Sequence, residues 1–66
     1  MRKIDRAILY AEEHRETHEW WLDHWKLNPP KTPEDRIRRE SAGGIKHQQE
    51  SIRRYNVIID ALKEYA

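Results

Sequence analysis

Leu27-Asn28-Pro29-Pro30-Lys31-Thr32-Pro33-Glu34-Asp35 is the stretch that decides the fold. Pro29 and Pro30 each lack an amide hydrogen and push the preceding residue out of helical geometry, so a helix arriving from the N-terminal side stops at Leu27. A new helix opens directly afterwards. Thr32 supplies a capping oxygen, Pro33 takes the first helical position, where no amide partner is needed, and Glu34 and Asp35 lie against the positive end of the new dipole. Two helices joined by so short a connection fold back on one another. The expected architecture is all-α: an antiparallel helical hairpin with a first helix over about 3–27, a turn over 28–32 and a second helix over about 33–65, in one domain, 1–66.

Outward from the turn, each helix carries an inward seam at alternating spacings of about four and three residues. In the first it is Ile4, Ile8, Ala11, Arg15, His18, Leu22 and Trp25; in the second it is Ser41, Ile45, Gln48, Ile52, Tyr55, Ile59 and Leu62. Charge is patterned too. Asp5, Glu12, Glu16, Glu19 and Asp23 recur at helical spacing in the first half, and Arg36, Arg39, Lys46 and Arg53 in the second. Folding back at the prolines sets the rows in opposite order and predicts the pairs Asp23–Arg36, Glu19–Arg39, Glu12–Lys46 and Asp5–Arg53. Each exposed pair contributes well under ~1 kcal/mol, yet the order fixes an orientation.

Gly43-Gly44 interrupts the second helix at a cost of roughly 2 kcal/mol relative to alanine. Either the helix breaks there, giving 33–42 and 45–65, or it continues and uses the missing side chains to admit a close neighbour. The seam keeps its phase on both sides, so the continuous helix is the preferred reading. In the register of the charge pairs the glycines lie opposite Arg15, Glu16 and His18, one turn from Trp20 and Trp21. The same register ends the first helix opposite Val57 and leaves a tail projecting roughly 12 Å beyond it. Ile58, Ile59, Ala61, Leu62 and Tyr65 on that tail would form an interface, predicting a homo-oligomer, most simply a dimer assembled as a four-helix bundle.

Composition limits the function classes. A chain of 66 residues buries little apolar surface, and with no cysteine it has neither disulfides nor thiolate chemistry to help. The 13 Lys and Arg stand against 12 Asp and Glu, without the basic excess of a strong, nonspecific nucleic-acid binder. No charged-then-apolar leader and no apolar run of membrane-spanning length is present, so a cytoplasmic, non-membrane protein is expected. Catalysis has no support: there is no glycine-rich phosphate loop and no histidine beside a plausible serine nucleophile. His14 and His18, four apart, make half of a metal site at most, and neither His24 nor His47 completes it, so no metal or cofactor is expected.

Three tryptophans exceed what a two-helix core needs. Trp20 points about a quarter turn away from Trp21, so at least one indole reaches the surface or a subunit boundary. The second half, RIRRESAGGIKHQQESIRRYNVIIDALKEYA (36–66), resembles the short helical proteins that phages and prophages of Gram-positive bacteria encode. That resemblance implies a host-directed or phage-regulatory role exercised by binding, in the cytoplasm of the host cell. Some proteins of this build oligomerise and sequester nucleotide immune signals, and others block a host enzyme.

Two functions follow. The first is a non-enzymatic, oligomeric binding protein that captures or inhibits a host or phage protein through exposed tryptophan. The second is a sponge holding a nucleotide-like anion over Gly43-Gly44, between Trp20 and Trp21 and the bases Arg39, Lys46, His47, Arg53 and Arg54. Duplex DNA binding through Arg36, Arg38, Arg39, Arg53 and Arg54 ranks below both, because neighbouring acids oppose phosphate.

Overall fold

The computed structural model describes residues 2–66 and contains three helices in sequence: α1 (Lys3–Leu27), α2 (Pro33–Ser41) and α3 (Gly44–Glu64). Local chemistry accounts for the two boundaries at the turn. The backbone amide and side-chain amide of Asn28 both donate to the His24 carbonyl, at 2.9 Å each, and close α1 just before the prolines. Thr32 caps α2 as its sequence demands, its hydroxyl accepting from the Asp35 amide at 3.1 Å with Pro33 at the first helical position.

The second helix does not run through. Gly43 has φ +90° and Gly44 φ +61°, both in the left-handed region, which ends α2 and starts α3. The continuous helix is thereby overturned. The glycines serve as the swivel between two helices, with the Gly43 carbonyl accepting from the His47 amide at 3.0 Å to begin α3. The seam's unbroken phase misleads because Ser41 and Ile45 are both exposed and never joined a common seam.

α1 and α3 pack along one another, while α2 touches α3 lightly. Cross-helix contacts give the direction and register. His18 Nδ1 meets Gln48 Oε1 at 2.7 Å, Arg15 Nη1 donates to Asn56 Oδ1 at 3.0 Å, and the His14 ring stacks on Tyr55 at 5.7 Å between centroids. Residues late in α1 thus meet residues early in α3, an antiparallel hairpin. The register is nonetheless displaced by roughly ten residues, or about 15 Å at helical rise, from the one the charge rows imply. α2 swings aside at the glycines, so α3 alone has to cover α1.

None of the four expected cross-hairpin ion pairs forms among the described residues. The ion pairs observed are local: Arg2–Asp5, Arg15–Glu19, Arg36–Glu40 and Arg39–Asp35, each three or four residues apart on one helix. The projecting tail disappears with the register. Ile59, expected at a subunit boundary, is 1% exposed and lies in the chain's own core with Ala11. Leu62 is half-buried, and of the five residues assigned to the interface only Ile58, Ala61 and Tyr65 stay exposed. Gln48 and Ser51 are buried as well as Ala11 and Ile59, so among the described residues half of the buried positions are polar. Ile4, Ile8, Leu22, Trp25, Ile52 and Tyr55 line the seam half-covered.

The result is a rod with extents of 47 × 17 × 16 Å and a radius of gyration of 14.8 Å, where a compact chain of this length has about 11 Å.

Candidate interaction surface

At the turn end, α1 turns four aromatic rings into one cluster. Trp20 and Trp21 meet edge to face at 4.9 Å, Trp20 stacks flat on His24 at 4.9 Å with 7° between planes, and Trp21 leans on Trp25 at 5.9 Å. The spacing explains most of it: 20 and 24, 21 and 24, and 21 and 25 are three or four residues apart on successive turns, and His24 bridges the two indoles. Trp25 is held from the other side by Arg39 of α2, whose guanidinium carbon lies 5.9 Å from the indole centroid. The same guanidinium pairs with Asp35 at 3.1 Å and donates from Nη1 to the Asn28 carbonyl, tying α2 to the end of α1. Two shallow grooves run beside this pin. One of about 190 Å³ includes Trp25, Pro30, Arg39, Gly44 and Ile45; the other, about 420 Å³, includes Trp21, His24, Trp25, Arg38 and Ala42.

A second aromatic surface lies along the middle of the hairpin. Tyr10 leans on His14 at 4.3 Å, and the Tyr55 ring stands stacked between His14 and His18 at 5.7 Å from each. His18 meets His47 edge-on at 6.0 Å. A groove of about 290 Å³ runs beside them, lined by His18, His47, Ser51, Arg54, Tyr55 and Ile58. The 2.7 Å contact between His18 Nδ1 and the Gln48 amide oxygen holds the plane of the His18 ring.

The residues proposed from sequence to hold an anion are dispersed among these surfaces. Trp20, Trp21, Arg39 and Gly44 belong to the turn end, His47 and Arg54 to the central groove, and Lys46 and Arg53 are exposed and line none of the grooves described. Gly43 does not bare its backbone to a ligand: a β-carbon added there would collide with the His47 side chain. Arg39 already spends its guanidinium on Asp35, Asn28 and Trp25. Trp25, His18 and Tyr55, read from sequence as seam residues, and His14, read with His18 as half of a metal site at most, turn out to organise both surfaces. The spacing of four and seven residues from His14 to His18 to Trp25 within α1 is the signal that carried this, once the correct register is known.

Among the described residues, no group of three or more His, Asp or Glu side chains is arranged to hold a metal ion, and no helix is long and apolar enough to cross a membrane. Neither a protein-family model, nor a curated protein, nor a solved structure matches this chain.

Proposed function

We propose that the chain is a non-enzymatic, oligomeric binding protein that captures a protein partner at the turn-end tryptophan cluster. The supporting observation is the exposure of rings that are already locked: Trp20 is 58% and Trp21 40% exposed although each is braced by a neighbouring ring. Tryptophan and arginine dominate binding hot spots because they bury a large area with little rotamer freedom left to lose. Leu27 and Ile37, both exposed, extend the apolar surface on either side of the turn. A phage-encoded inhibitor of a host protein fits this design, as the sequence resemblance implies. The sponge is the weaker reading, since its anion-binding residues are spread over separate surfaces and Arg39 is committed within the fold.

Native mass spectrometry of the chain purified from its natural host tests the proposal. The expected spectrum shows a co-purifying polypeptide that disappears in the Trp20→Ala/Trp21→Ala variant. A nucleotide-sized adduct that survives this double substitution would overturn protein capture.

A further inference from the structure

We infer that the face carrying Tyr10, His14, Tyr55 and Ile58 is the surface on which a second copy of this chain docks. This assignment rests on the reading of the protein as an oligomer and moves the contact from the C-terminal tail to the middle of the hairpin. The two broad sides of the α1–α3 layer differ sharply. One presents Asp5, Glu12 and Glu19, seven residues apart and hence in line, a row suited to water. The other presents the Tyr10–His14–Tyr55–His18 ring series and the groove ending at Ile58. On that side Tyr10 is 63% and Ile58 44% exposed, and seven-residue spacing adds Tyr65 beyond Ile58. Among the described residues this side is the one that sets exposed apolar side chains beside a row of rings running along both α1 and α3.

The amount of uncovered surface matches one kind of occupant. The chain exposes 5422 Å², whereas a folded monomer of 8.1 kDa exposes about 4,500 Å². The excess, roughly 900 Å², is close to the ~800 Å² each partner contributes to a standard protein interface. A small ligand in one shallow groove does not account for it. The shortfall belongs to the fold itself, because among the described residues only Ala11 and Ile59 are buried apolar side chains. A hairpin is half of a two-layer structure, and the cover has to be present whenever the chain is folded. Another copy always satisfies that condition. A twofold contact also lets one face serve both partners, and the pairing of two hairpins yields a four-helix bundle.

Sedimentation equilibrium of the full chain at micromolar concentration tests the inference. Wild type is expected to be a dimer, and Tyr10→Glu/Ile58→Glu to raise the dissociation constant at least about 100-fold. Both positions are exposed within one chain, so the substitutions remove no internal core. Trp20→Glu, off this face, is expected to leave the dimer intact. Because the chain has no cysteine, oxidative trapping offers a readout that does not depend on the folding of the charged variant. Ile58→Cys and Tyr10→Cys, mixed or alone, are expected to give a disulfide-linked dimer, and Trp20→Cys none. A wild-type monomer with full helicity, a dimer indifferent to the double substitution, or trapping at Trp20→Cys alone would overturn the assignment. The two proposals fail separately: a dimeric wild type that captures no polypeptide, or whose captured polypeptide survives Trp20→Ala/Trp21→Ala, counts against the tryptophan cluster, and a monomer that still captures its partner counts against this face.

Discussion

His18 and Gln48 form a polar pair inside a core that has little apolar content to spare. Gln48 is 6% exposed, so deleting its partner leaves a buried amide without the imidazole that satisfies it. His18→Ala is expected to destabilise the fold by about 1–3 kcal/mol, read from the urea midpoint, whereas replacing both residues by leucine should be close to neutral or stabilising. A cost of the same size in the double variant would show that the pair acts through packing alone. The pair also explains how a register is selected between two seams that are both partly polar: slipping by a turn strands the amide. Nothing in the sequence singled out this contact, because histidine and glutamine at seam positions are equally compatible with solvent until the facing residue is known.

Helix boundaries are decided by single residues, and here two of them behave differently although they are adjacent and identical. A β-carbon on Gly43 collides with the His47 side chain, while one on Gly44 has as its nearest neighbour the Arg39 carbonyl oxygen at 3.9 Å. Gly43→Ala is therefore expected to cost about 1–3 kcal/mol and Gly44→Asn less than about 1 kcal/mol, since asparagine tolerates the left-handed region. Thermal unfolding followed by circular dichroism checks the contrast, and equal losses would refute it. At the other end of the molecule, the Asp5 carboxyl is held below its ordinary value of 3.8, first by the hydrogen bond from Arg2, with charge attraction adding to it. A lowered folded value means that this contribution to α1 is present above the unfolded carboxyl's range and is lost as the pH falls through the folded value. Arg2→Ala should move the Asp5 titration midpoint upward in an NMR titration; an unchanged midpoint would show that the hydrogen bond is not formed in solution.

For the whole molecule, a rod with so thin a core should have a stability tied to its own concentration. The midpoint of thermal unfolding is expected to rise as the protein is concentrated, by mass action on the folded dimer, and a midpoint independent of concentration would contradict self-association. The sequence by itself determined the all-helical class, the extent of α1 and the point where the chain reverses, because prolines, a threonine cap and an asparagine act through bonds within a few residues. It also announced, through Trp20 beside Trp21, that an indole would be left outside. The register, the swing of α2 and the enclosure of Ile59 were decided only by tertiary structure. Exposed charge rows are screened by water and contribute little per pair, so their matching order could not hold α3 against the gain from enclosing Ala11, Ile59 and the His18–Gln48 pair between α1 and α3. The glycine conformation that frees α2 from the hairpin has the same origin, since a backbone that can run straight or turn takes whichever path the packing of distant residues rewards.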